Sequence, residues 1–311
     1  MNSMLSKTKL ASQPGGRPPV AVELSDRGVL AASIPGPEQP PVYAFEPLPP
    51  NALIPDIAEK NLRSPEVVAA AIRTALGQVS PRTHSITLVL PDTVVRVFVL
   101  DFDSLPSRAD EAIPVIRFRL RKMVPFDVEH AGLSYQVLVE TRNECKVLAA
   151  VLPGQVLQEY EDAIRQAGYE PGAVLPTSLA ALAAIDSEEP VLAANLGELA
   201  LTTSITHGQD LLLYRTLDLP LDANQRLQEV QRGIAVAAAY YEDKLGARPK
   251  LLHYAGIGAG GNSTAEQFAR WIDVPELTVT DLAPRPETGA ATSLGNLLSL
   301  AGVVGALAGA A

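Results

Sequence analysis

Leu88–Phe102, LVLPDTVVRVFVLDF, and Arg119–Leu138, RLRKMVPFDVEHAGLSYQVL, are the two stretches that decide the fold. Ser85–Leu90 reads as a buried strand, Pro91-Asp92 as a turn, and Val94–Leu100 as a second strand. Between the quoted stretches, Ser107–Met123 places Ala109, Ala112, Ile113, Ile116 and Leu120 at helical spacing. That helix must stop at Val124-Pro125-Phe126, because the residue before a proline is held out of the α region. Leu133–Glu140 and Cys145–Leu152 then read as strands, and Gln155–Gln166 as an amphipathic helix ended by Gly168. The order β, α, β, β, α over 93–167 has local connections of its own and predicts a subdomain inserted into a larger α/β body.

On the N-terminal side, Val20–Val22 and Val29–Ala32 flank the polar turn Glu23–Gly28 as a β-hairpin, and Pro35–Pro55 reads as irregular. Ser64-Pro65-Glu66 starts a helix with an N-cap, a proline at N1 and an acid in the first turn. After a helix over Pro176–Ile185, a strand from Val191 is expected to break at Asn195-Leu196-Gly197-Glu198. A second hairpin follows, Leu199–Thr206 and Leu211–Leu217 about a turn at His207–Asp210, and then a long helix over Ala223–Leu245 capped by Gly246. The strand Lys250–Ala255, a glycine loop over Gly256–Gly261 and a helix over Ser263–Trp271 come next. Both halves open on strand, short polar turn and strand, as an internally duplicated fold would.

Composition excludes several function classes. With 25 Lys and Arg against 35 Asp and Glu the chain carries a formal charge of −10, which opposes a broad phosphate-binding face and excludes nucleic acid as a partner. One cysteine, Cys145, makes an intrachain disulfide impossible, and four scattered histidines offer no metal-ligand spacing. His84, His130, His207 and His253 form no Ser/His/Asp or Cys/His set, so no catalytic residue and no metal is assigned. Residues 1–17 read as a disordered tail without an export signal. Ser293–Ala311 is long and apolar enough to raise a membrane span, but its many Gly and Ala residues, Asn296 and the lack of a basic flank favour a helix buried in the protein.

The two quoted stretches, together with VAVELSDRGVLAA at 20–32, LQEYEDAIRQAGYEPGAVLPTSLAAL at 157–182 and LHYAGIGAGGNSTAEQF at 252–268, resemble the type IV pilus assembly PilM family over nearly the whole chain. The resemblance implies an α/β actin-like fold: a first lobe of 18–92 with 168–187, an inserted βαββα subdomain at 93–167, and a second lobe at 188–311 reduced by loss of its helical subdomain. It also implies a nucleotide cleft, and there this sequence departs from the family. In the first phosphate hairpin Glu23 stands for the metal-orienting aspartate, Ser25 for the glycine and Asp26 for the hydroxyl residue. Asn195 replaces the acid of the second hairpin; Gly197 survives, followed by Glu198. The adenosine loop keeps Gly256, Gly258 and Gly260. These positions imply a vestigial site that binds neither ATP nor magnesium tightly.

What remains for function is the inserted subdomain. The resemblance implies a non-enzymatic cytoplasmic scaffold, peripheral to the inner membrane, that holds the N-terminal cytoplasmic tail of a PilN-like membrane protein as an extended peptide. It implies further a ring by self-association and contact with pilus assembly ATPases. Phe98, Leu100, Phe102, Val124, Pro125 and Phe126 are the candidate pocket residues, and Arg117, with Arg119, Arg121 and Lys122, gives the subdomain helix a basic face for an acidic partner or anionic lipid headgroups. Two other readings stay open: an actin-like ATPase that tolerates altered phosphate loops, and the cytoplasmic part of a type II secretion L-type protein, against which the end of the chain at Ala311 is expected to speak.

Overall fold

Two five-stranded sheets repeat one topology. The computed structural model describes residues 16–36, 39–142, 144–256, 262–282 and 299–308. In the first lobe β1 (Val20–Leu24), β2 (Gly28–Ser33), β3 (Val42–Pro47), β4 (Ser85–Leu90) and β8 (Glu170–Pro176) lie in the order β3-β2-β1-β4-β8. In the second, β9 (Val191–Leu196), β10 (Ala200–His207), β11 (Asp210–Asp218), β12 (Leu251–Gly256) and β13 (Thr278–Asp281) lie in the order β11-β10-β9-β12-β13. Each sheet has two antiparallel pairings from its hairpins and two parallel ones, β1 with β4 and β4 with β8, β9 with β12 and β12 with β13. Parallel neighbours need a crossover, and the helices supply it.

α1 (Pro65–Val79) turns Val68, Ile72, Ala75 and Leu76 into the first core, while α5 (Ala223–Leu245) turns Val230, Ile234, Ala237 and Tyr241 into the second. Leu219–Asp222 is all that joins β11 to α5, so the second lobe runs from hairpin to helix without an intervening subdomain. Asp222 caps α5 by accepting from the backbone N–H groups of Asn224 and Gln225 at 3.1 and 2.9 Å.

The segment between β4 and β8 divides differently from the sequence reading. β5 (Arg96–Phe102), α2 (Ala109–Leu120), β6 (Gly132–Glu140) and β7 (Cys145–Leu152) form a three-stranded sheet, β5-β7-β6, with a core of its own under α2. α3 (Gly154–Gln166), expected inside this block, instead buries Val156, Tyr160, Ala163 and Ile164 in the first-lobe core. The side chain of Glu159 locks it there, accepting from the N–H groups of Asn61 and Leu62 at 2.9 and 3.0 Å. Order along the chain placed α3 in the insertion; its apolar face places it on the first lobe.

Two edge strands escaped the sequence reading. β3 lies in the stretch read as irregular, and β8 in the stretch read as a link between helices. Pro47, Pro171 and Pro176 hide them, yet each strand is the outermost of its sheet, where a missing N–H costs no ladder bond on the open side. The helix expected over Pro176–Ile185 is shorter, α4 (Thr177–Ala181) followed by a 3₁₀ turn at Leu182–Ala184. β9 runs through Asn195 rather than breaking there.

The largest correction concerns the C-terminal segment, which the resemblance placed in a second lobe at 188–311. Its helix α7 (Ala301–Ala308) crosses back, burying Val303, Ala306 and Leu307 against Ala21, Leu30, Val89 and Ala180 of the first lobe. Its other side meets Ala193 and Ala255 of the second lobe through Ala301. A helix lodged between two bodies must be apolar all round, which is why its composition matches that of a membrane span. Among the described residues no helix is long and apolar enough to cross a membrane. Gly305 makes the approach to α4 possible, since a Cβ there would lie 2.0 Å from the Ala180 carbonyl oxygen.

Candidate functional site

The turns of the two hairpins face each other across the lobes. Register fixes their correspondence: Glu23 pairs with Leu30 and Leu24 with Val29 in the first hairpin, Thr202 with Asn195 and Leu201 with Leu196 in the second. Glu23 therefore corresponds to Asn195, Ser25 to Gly197 and Asp26 to Glu198. A cavity of about 150 Å³ lies between them, lined on the polar side by Glu23, Asp26, Asp92, Thr177, Asn195 and Glu198. Among the described residues lining it the one cation is Arg27, and it pairs with Glu198 at 3.5 Å.

On the cavity floor, Asp92 connects the lobes. Its Oδ1 accepts from the Ser178 N–H at 3.0 Å and its Oδ2 from the Ser178 hydroxyl, which in turn accepts from the Asn195 amide at 2.8 Å. Thr202 and Tyr214 of the second lobe stand close by. Burial raises the Asp92 carboxyl above the usual range, and the Ser178 hydrogen bonds act against that.

Glu23 has a different proton inventory. The Thr177 hydroxyl lies 3.0 Å from the Leu90 carbonyl oxygen and 3.1 Å from Glu23 Oε1. The Leu90 carbonyl and the Glu23 carboxyl compete for the single Thr177 proton, so Thr177 satisfies Glu23 only in part. Burial pushes this carboxyl up to about 7, with the Thr177 hydrogen bond lowering it and the charge of Asp92 raising it. Its Oε2 is buried without a partner.

At the rim, burial and then the charge of Glu198 raise Asp26. Arg226 at the start of α5 donates to the carbonyl of Gly197 at 2.7 Å and to that of Glu198, holding the second turn by its backbone. Gly256 closes the side wall at φ 153°, where a Cβ would stand 2.9 Å from the Leu196 carbonyl. Its role here is close approach of β12 to β9. Gly258 and Gly260 lie outside the described residues.

Comparison with solved structures matches this architecture. A structure described as a PilM-PilN type IV pilus biogenesis complex superposes with a TM-score of 0.75 at 18% identity, covering 94% of this chain and 98% of that one. The chain has the actin-like fold of PilM. Lower similarity is found to the cytoplasmic domain of EpsL, an inner-membrane component of the Vibrio cholerae type II secretion system, with a TM-score of 0.49 at 12% identity over 88% of this chain and 91% of that one. A Bacteroides thetaiotaomicron protein with an actin-like ATPase fold gives 0.46 at 11% identity over 89% and 95%. No protein-family model and no curated protein matches the sequence.

In this PilM-like frame the residues expected to bind a partner gather on one small body. Phe98, Phe102, Val124 and Phe126 are half-buried against the core under α2, and Pro125 is exposed beside them. Leu100 is 3% exposed and belongs to that core, so it packs rather than lines a surface. Arg117 also departs from expectation, since it is half-buried and donates to the Ala131 carbonyl at 3.0 Å. Sequence reasoning missed Asp92, Thr177, Ser178 and Tyr214 as site residues, because only the meeting of β4, α4 and β11 brings them together. Among the described residues no cluster of three or more His, Cys, Asp or Glu is arranged to hold a metal ion.

Proposed function

We propose that this chain is a non-catalytic cytoplasmic scaffold of a type IV pilus machine that holds the N-terminal tail of a PilN-like inner-membrane protein and has lost tight ATP binding. The observation that carries the reading is the cavity chemistry. At the turns where a phosphate would approach backbone N–H groups stand Asp26 and Glu198, while burial pushes the Glu23 carboxyl up to about 7 and weakens it as a metal-orienting charge. A carboxylate about 4 Å from a phosphate charge costs roughly 1 kcal/mol in water and about 4 at the effective dielectric of a protein surface. Asn195 is committed to Ser178 and carries no charge to replace the acid.

A place for the tail is offered by the inserted subdomain. β6 forms one edge of its sheet, leaving one side of the strand for an extended peptide, and Val124, Pro125 and Phe126, in the segment that leads into β6, supply partly exposed apolar surface. PilM in the matched structure is complexed with PilN, which makes a tail of that kind the partner to try first. Isothermal titration separates the two halves of the reading: the peptide is expected to bind in the micromolar range and Mg-ATP to give no saturable heat at millimolar concentration. Micromolar Mg-ATP binding overturns the lost nucleotide site, and a peptide without binding overturns the scaffold.

A further inference from the structure

The outer face of α2 inverts the charge of the molecule around a cluster of exposed apolar side chains. Residues 108–123 hold five Lys and Arg and two Asp and Glu, in a chain whose net charge is −10. Arg108 pairs with both acids, Asp110 and Glu111, at the N-terminal end of the helix. Arg121 pairs with Glu129, and Asp127 with His130. Arg119 and Lys122 are exposed, and among the described residues no carboxylate pairs with either. Between and beside them Val115 is 37% exposed, Met123 43% and Phe118 70%.

We infer that this face docks on an anionic phospholipid surface, independently of nucleotide and of any peptide tail. An aromatic side chain standing out of a convex helix, flanked by cations on long stems, suits the headgroup boundary: the ring enters it and the ammonium and guanidinium groups stay with the phosphates. Such a surface moulds itself to a convex knob, whereas a protein partner needs a matching hollow. The negative remainder of the chain is repelled by the same lipids, so the charge asymmetry also orients the molecule with the inserted subdomain toward the bilayer. Ala112, Ile116 and Leu120 hold the opposite face of α2 in the core, fixing which side points out.

Full-length chain is sedimented with vesicles of phosphatidylglycerol and phosphatidylcholine, or of phosphatidylcholine alone. Binding is expected only to the anionic vesicles, weakening as salt is raised. With each surface cation worth about 1 kcal/mol, Arg119→Glu together with Lys122→Glu lowers partitioning at least about tenfold. Lys60→Glu with Arg232→Glu, an equal change of net charge at exposed sites elsewhere, changes it less than about twofold on the same scale. In a Trp271→Phe background, Phe118→Trp introduces a single indole whose emission is expected to shift to the blue on adding anionic vesicles, and near-unchanged melting shows that each variant folds. Absence of binding at low salt, equal loss in both charge-reversed pairs, or an unshifted emission in the Phe118→Trp variant overturns the proposal. So does light scattering that shows self-association abolished by the α2 pair while vesicle partitioning is unchanged, which would assign the face to a second copy of the chain.

Discussion

The two lobes share a sheet topology and differ in what fills its crossover. Among the described residues β12 of the second lobe reaches β13 through the single helix α6 (Asn262–Trp271), whereas in the first β4 reaches β8 through β5, α2, β6, β7 and then α3. Set side by side, α3 is the counterpart of α6, and the insertion is the βαββ unit before it. Burial agrees, since α3 puts Tyr160 and Ile164 into the first core, while the βαββ unit builds its own core under α2 and lends the first core only side chains of its strands, such as Val97 and Leu148. The first lobe therefore gained a module without giving up the helix its own sheet needs. The same pairing sets α7 opposite α4, one helix leaving the first lobe and one returning to it.

A second contrast lies in the hairpins. At equivalent positions one carries a buried acid whose carboxyl is pushed up to about 7, Glu23, and the other an amide, Asn195, engaged with Ser178. Asn195 is uncharged at every pH and Glu23 is neutral only below about 7, so the two equivalent floor positions differ in their response to pH.

Breaking the lobe pairing gives the largest effect. Gly305→Ala places a Cβ on the Ala180 carbonyl, and a shift of α7 off α4 is expected to cost about 3 kcal/mol in chemical denaturation. An unchanged midpoint would show that the returning helix does not join the lobes. Next comes the floor acid. Glu23 titrates near 7 when folded against 4.5 for the unfolded group, so its contribution is fully present below about 4.5 and is lost as pH rises through 7. Raising the pH from 5 to 8 is expected to remove about 2–3 kcal/mol through this group. Glu23→Gln, which keeps the neutral shape, flattens that part of the profile; an unaltered profile places the titration elsewhere.

Making the hairpins alike from the other side is expected to cost less. Asn195→Asp replaces an amide donor to Ser178 by a second carboxylate beside Asp92 and lowers stability at pH 8 by about 1–3 kcal/mol, recovering as the pH falls. The smallest test compares the helix starts. Asp222→Ala removes a cap that accepts two N–H groups and costs about 1 kcal/mol, while Ser64→Ala costs a few tenths at most because Ser64 makes no side-chain capping bond. Equal losses in thermal melts would remove this asymmetry between the lobes.

Much of the architecture was legible from one sequence. Buried strands such as Ser85–Leu90, the hairpins about Glu23–Gly28 and His207–Asp210, and the long helix to Leu245 declare themselves through period and turn residues, which act over a few positions. The cleft was legible only in part. The acids at Glu23, Asp26 and Glu198 could be read off, but not that Thr177 lies between Glu23 and Leu90, nor that Asp92 meets Ser178 and, through its hydroxyl, Asn195. Edge strands β3 and β8 were lost behind their prolines, since local propensity cannot tell an edge, where proline is tolerated, from a loop.

Residue type and short-range spacing were enough for the repeated strand-turn-strand units, the charge inversion on α2 and the acids at the hairpin turns. They were not enough to show that α3 belongs to the first lobe, that α7 returns to it, or that burial raises the Glu23 carboxyl. Those outcomes turn on which surfaces and hydroxyl groups meet across long separations in the chain, and on burial that exists only once both lobes have closed.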